Sequence, residues 1–267
     1  MDTFANYILD EKNLASKMEI LYYLSKKENI FFDKSVIFKT ELARLFLKYS
    51  KLGLDDNLVL TACLLCNCKK IDNVRDIENI KTYAKEGANY LEQLGFDKRF
   101  CKICEEVNRY SGSDPRERES DVLELVEQFG GMILDRPERI GLEPDEAMVL
   151  LVHRNLKDKN NRYIEEFSQF VNMLEQINMG EFVEVKALRR LTKLFNETEE
   201  LTEFIKKVVN NYEIQIDKLM SKKYEKIKNE MFKEERNNRP LFTEETTQKI
   251  IGNIEKQKHV ITNQEVV

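Results

Sequence analysis

Asp55-Asp56-Asn57-Leu58-Val59-Leu60-Thr61-Ala62-Cys63-Leu64-Leu65-Cys66-Asn67-Cys68-Lys69-Lys70 reads as a helix with a signal at its start and a polar cluster at its end. Asp55 carries a short carboxylate just ahead of the apolar periodicity, where it can accept from an unpaired backbone N–H of the first turn. Leu58, Ala62, Leu65 and Cys66 follow at steps of one, three and four and form a single apolar face. If the helix continues through Lys70, Cys63 and Cys66 share that face and Cys68 points elsewhere.

The same rhythm extends in both directions. Upstream, Ile20, Leu21 and Leu24 precede a predicted loop over 25–33. A helix over Ser35–Ser50 then carries Leu42, Leu45, Phe46 and Tyr49 and stops at Gly53. Downstream, a helix over Lys81–Leu94 stops at Gly95. Asp97 caps the next one, with Phe100, Ile103, Cys104 and Val107 inward. Ser111–Pro115 is a loop, Asp121–Leu134 a helix, and Pro144 starts another that runs through Leu151. The chain holds nine Gly and four Pro in 267 residues, too little turn chemistry for a β fold. An all-α class is expected. From Leu201 an apolar stripe runs through Ile205, Val208, Tyr212, Ile216, Leu219, Tyr224, Ile227 and Met231. It predicts a long helix in a coiled coil or helical hairpin.

Apolar residues make up 42% of the chain and charged residues 34%, with a net charge of −5, the balance of a folded, water-facing protein. No apolar run is long enough to cross a bilayer, and the first residues lack the pattern of a secretory signal. Five cysteines, an odd number, read as reduced thiols, so a cytoplasmic location is expected. The net negative charge argues against nucleic acid as a partner. In the Leu201–Met231 stripe, Lys222, Lys223, Lys226 and Lys228 are offset by Glu213, Asp217, Glu225 and Glu230, which reads as a solvated helix face.

Two stretches resemble the HD-GYP branch of the HD phosphohydrolases, enzymes that hydrolyse cyclic di-GMP. One is Ser120-Asp121-Val122-Leu123-Glu124-Leu125-Val126-Glu127-Gln128-Phe129, continuing through Asp135-Arg136-Pro137-Glu138-Arg139 to Leu142-Glu143-Pro144-Asp145-Glu146-Ala147. The other is Glu86-Gly87-Ala88-Asn89-Tyr90-Leu91 followed by Leu94-Gly95-Phe96. The likeness covers about Phe31 to Ile177. It implies an HD-like helical bundle over 31–179, after an N-terminal helical segment over 1–30. A long helical extension over 180–239 and a short helix with a polar tail over 240–267 would follow.

The resemblance also shows what is missing. HD phosphohydrolases hold two or three cations on imidazole and carboxylate ligands, generate a hydroxide and clamp the phosphate. At the family's Leu-Leu-His-Asp-Ile-Gly-Lys this chain has Leu64-Leu65-Cys66-Asn67-Cys68-Lys69-Lys70. The first family histidine falls near Phe38, a later one at Tyr83, a further pair near Val107 and Asn108, and the Gly-Tyr-Pro signature is reduced to Asp114-Pro115. Glu127 stands at a late metal carboxylate and is the single ligand kept. His153 and His259, the only histidines, lie outside every motif position. Lys70, Arg136 and Arg139 match family basic residues and form a candidate anion grip, although Arg136 can equally serve to pin its turn. The thiols are a second candidate metal set, with Cys66 and Cys68 its foremost members, against the reading of buried cysteine as a small hydrophobe.

A catalytically inactive HD-GYP-like domain acting as an interaction or regulatory module is therefore expected. It would meet a protein partner, or itself, through 201–231 and need no cofactor. The alternatives are a nucleotide or cyclic-dinucleotide sensor without turnover, and a divergent metal-dependent phosphohydrolase.

Overall fold

The computed structural model describes residues 4–28, 30–70, 77–135, 140–155, 161–175 and 191–208. Among them the chain is helical throughout, with no strand: α1 (Phe4–Asp10), α2 (Leu14–Glu28), α3 (Lys34–Ser50), α4 (Asp56–Leu65), α5 (Ile77–Gln93), α6 (Lys98–Glu105), a 3-10 turn (Arg109–Ser111), α7 (Arg118–Ile133), α8 (Pro144–Asn155) and α9 (Ile164–Glu175). Two further helical stretches cover 191–197 and 201–208.

α3 is the axis of the bundle. Asp33 caps it by accepting from Val36 N, and Lys51, in the left-handed conformation at φ 49°, ends it. The stop thus falls two residues before Gly53. On α3, Val36, Ile37, Phe38, Leu42, Ala43 and Phe46 are completely buried, because α4, α7 and α9 pack around the helix. Phe46 meets Phe167 of α9 edge-on at 4.9 Å, and Phe167 meets Phe129 of α7 at 5.2 Å. Each such fully buried ring contributes about 1.5–3 kcal/mol relative to exposure. α7, α8 and α9 pack in succession, while α5 and α6 pair on the α4 side.

Both predicted aspartate caps are present: Asp55 accepts from Leu58 N and Asp97 from Phe100 N. Two expectations are corrected. α2 runs through Glu28, so the first four residues of the expected loop over 25–33 are helix, and the loop is confined to the approach to Lys34. α4 ends at Leu65 and the chain turns over 66–69, so Cys68 does not lie on a continuing helix. Its Sγ is buried against Gly87, where an added Cβ would sit 3.3 Å from the sulfur. The start of the Leu201–Met231 stripe is helical and packed against this bundle: Phe204, Ile205 and Val208 are buried, and Phe195 bridges Phe204 and Phe38 edge-on. Residues 209–231 lie outside the described residues.

Candidate functional site

The early end of α4 shapes the site. After Leu65 the chain folds into a tight turn, with Cys68 N bonded to Leu65 O and Lys70 N to Asn67 O. Phe31 N then donates to Cys68 O and ties the turn to the entry of α3. The turn buries Asn67 completely and leaves Lys70 at the rim.

Asn67 meets Glu127, which projects from the middle of α7. Asn67 Nδ2 donates to Glu127 Oε1 at 2.5 Å, and the other carboxylate oxygen is 2.8 Å from Nζ of Lys39, on α3. The Lys39 side chain is 3% exposed and that of Glu127 11%, so this is a buried ion pair. The Lys70 ammonium stands further off, 3.9 Å from Glu127 Oε2, with the rings of Tyr83 and Phe31 5.7 and 5.9 Å away. Burial alone would push the Glu127 carboxyl up. Lys39, Lys70 and the Asn67 amide outweigh it and hold the group below the ordinary carboxylate value, so Glu127 is ionised at neutral pH.

Gly130 makes this reach possible. It lies one turn beyond Glu127 on α7, and a Cβ there would come within 2.8 Å of Lys39 Cγ. A glycine inside a helix costs about 1 kcal/mol relative to alanine. Here it opens the channel through which the lysine stem reaches the carboxylate.

Of the residues singled out in the sequence, Cys66, Asn67, Lys70, Tyr83 and Glu127 are brought together. Tyr83 is buried, and that burial, with Glu127 and Cys66 nearby, pushes its phenol well above the usual range. Arg136 and Arg139 lie outside the described residues, as does His259. His153 is exposed on α8. Lys39 carries no signal of its own in the sequence, although it directly follows Phe38, near which the resemblance puts a histidine. Gly130, three residues after Glu127, was the other unread signal.

The donor set does not fit a two-cation centre. Glu127 is engaged on both oxygens, Asn67 offers a neutral amide, and among the described residues no three His, Cys, Asp or Glu side chains converge closely enough to hold a metal ion. All five thiols are free and buried, and burial raises each one: Cys68 is pushed up to about 12, Cys101 to about 11, and Cys63, Cys66 and Cys104 are also raised well above the ordinary thiol value.

α7 carries three more carboxylates ahead of Glu127: Glu119, paired with Arg99 at 2.8 Å, and two at three-residue steps from Glu127. Glu124, 2% exposed, accepts from Arg109 Nε at 2.7 Å, Arg116 Nη1 at 2.9 Å and Asn161 Nδ2 at 3.2 Å. Asp121 lies 3.5 Å from both Arg116 and Arg162. At three-residue steps Asp121, Glu124 and Glu127 each meet cations from other segments, so α7 is the electrostatic spine of the bundle. These contacts hold the 106–118 and 161–163 segments in place and leave Glu127 with Lys39. Comparisons with protein-family models, with curated proteins and with solved structures return no match to this chain.

Proposed function

We propose that the chain is a catalytically inactive HD-GYP-like domain serving as an interaction or regulatory module. The observation that carries this reading is the Lys39–Glu127 contact at 2.8 Å. The one carboxylate retained at a motif position is neutralised by an ammonium tethered to the neighbouring helix. A cation from solution would have to displace a group that cannot diffuse away. The convergence of Cys66, Asn67, Tyr83 and Glu127, which the resemblance places at ligand positions, supports the alignment on which the reading rests. Without a held cation there is no means of generating hydroxide at neutral pH by the family route.

The test is hydrolysis of cyclic di-GMP and of bis(4-nitrophenyl) phosphate by purified full-length protein with added Mn²⁺ or Fe²⁺, next to Glu127→Ala. Turnover in the wild type that disappears in Glu127→Ala overturns the proposal. Turnover unchanged in Glu127→Ala marks a contaminant. A sensor of cyclic dinucleotides draws on one observation, the position of Lys70 at the rim, 22% exposed. Calorimetry with cyclic di-GMP on wild type and Lys70→Ala decides it.

A further inference from the structure

We infer that residues 191–208 form a detachable strap across α2 and α3, clasped by Lys34 and Tyr22, which opens as a unit while the rest of the bundle stays folded. Lys34 is the first residue of α3, the positive end of that helix, where a cation is poorly placed. Its partners lie on the other side. Nζ donates to Phe195 O at 2.9 Å and to Thr198 O at 2.5 Å, the carbonyls at the end of the 191–197 helix, and stands 4.5 Å from the centre of the Phe195 ring. Helix ends leave their last carbonyls unpaired and carry partial negative charge, so the ammonium suits the strap better than it suits α3. The second clasp is a hydrogen bond between Tyr22 Oη and Thr202 Oγ1 at 2.7 Å, at the start of the 201–208 helix. Between the clasps, Phe195 packs edge-on against Phe38 of α3 and Phe204 of the strap, at 5.9 and 5.8 Å.

The remainder of the bundle holds without these contacts. The Phe46, Phe129, Phe167 and Phe170 cluster is built from α3, α7 and α9, and the Lys39–Glu127 pair joins α3 to α7. The strap is one layer thick: Leu191, Phe204, Ile205 and Val208 face inward, while Lys193, Glu197, Glu203 and Lys207 face out. Few buried apolar side chains thus offset the ordering of the whole segment, the condition under which a segment opens below the global unfolding free energy. Opening uncovers an aromatic strip, Tyr22 and Phe38, beside the residue that supplies the buried ammonium. It also frees Phe195 and Phe204 for another surface.

Hydrogen exchange read by mass spectrometry on the full chain tests this, with wild type, Lys34→Met and Lys34→Arg. In the wild type, amides of 191–208 are expected to exchange at least about ten times faster than those of α4 and α7, with one shared dependence on low denaturant that is smaller than that of global unfolding. Lys34→Met should accelerate 191–208 by about a further ten-fold, the equivalent of one charge-assisted hydrogen bond, and leave α4 and α7 unchanged. Lys34→Arg should restore most of the protection. Exchange of 191–208 at the same rate as α4 and α7 in the wild type overturns the strap, and this arm stands even if the variants do not fold. Acceleration of every segment together in Lys34→Met, or of none, overturns the clasp.

Discussion

Replacing Lys39 with methionine keeps most of the stem and removes the ammonium from a carboxylate 2.8 Å away. At that distance and an effective dielectric of about 20 the pair attracts by about 6 kcal/mol, most of which only offsets the desolvation of two buried charges. The loss on removing one partner is what matters, because Glu127 is left behind. Such changes cost about 3–5 kcal/mol. The Asn67 amide and the Lys70 ammonium at 3.9 Å still face Glu127, which places Lys39→Met near the lower end, about 3 kcal/mol. At about 2–4 °C per kcal/mol for a protein of this size, the thermal midpoint should fall by about 6–12 °C.

The pH dependence carries the sharper test. In the wild type the Glu127 carboxyl is held below its ordinary 4.5, so its stabilisation is complete above that value and is lost as the pH falls through the lower folded value. In Lys39→Met, burial becomes the dominant influence and pushes the carboxyl above the ordinary value, so this variant gains from protonating Glu127 as the pH falls. The stability gap should therefore be widest at pH 7 and narrow below about pH 5. Urea denaturation followed by circular dichroism at pH 7.0 and 4.5 measures it, with Lys39→Met/Glu127→Gln expected to recover most of the loss at pH 7. A gap under about 1 kcal/mol at pH 7, or one of equal size at both pH values, refutes the buried ion pair.

Gly130→Ala should be destabilising or neutral in the wild type, where its methyl group meets the lysine stem, and stabilising by about 1 kcal/mol in Lys39→Ala, where only helix propensity remains; the sign reversal is read from denaturation midpoints. Lys17, fully buried with Asn57 Oδ1 and Thr61 Oγ1 as partners, is pushed by burial down to about 8. Between about pH 8 and 10.5 the unfolded chain binds more protons at this site, so stability should rise with pH by about 3 kcal/mol across that window. Lys17→Met should remove the rise, and an identical pH profile in both proteins counts against it. No thiol should react quickly with Ellman's reagent at pH 8 in the native protein, and all five should react in denaturant. One rapidly labelled cysteine in the folded chain refutes the core assignment. Phe167→Ala, which empties the ring meeting Phe46 and Phe129, should cost about 3–5 kcal/mol, measured by chemical denaturation.

The elements most legible in the sequence were those that local chemistry specifies. Asp55 and Asp97 have side chains whose capping role needs nothing beyond the next three residues, and both cap as expected. Phe100, Ile103 and Cys104 share one buried face of α6 because a helical repeat alone puts them there, and Val107 is buried in the turn just beyond it. The failures needed partners distant in the chain. α4 ends at Leu65 because the 66–69 turn packs on Gly87 and pairs with Phe31, and no residue in the apolar run signals that stop. Lys39 in isolation is one more lysine on an amphipathic helix. Its burial becomes visible only when Glu127, 88 positions away in the chain, and the gap at Gly130 are set beside it.

The channel over Gly130 also constrains the paths by which this bundle can change. Lysine at 39, glycine at 130 and glutamate at 127 are coupled, since the lysine stem passes over the glycine and its ammonium meets the glutamate, so the effect of replacing one depends on the others. A histidine introduced at Cys66 or an aspartate at Asn67 would arrive beside an ammonium and gain no ion to bind. Aspartate would also remove the amide that donates to Glu127 Oε1 and set a second carboxylate against it. Single steps toward a metal centre therefore improve nothing until Lys39 has gone, and losing Lys39 first strands a buried carboxylate. The buried pair is therefore exchanged as a pair or not at all, and its own stability keeps it in place.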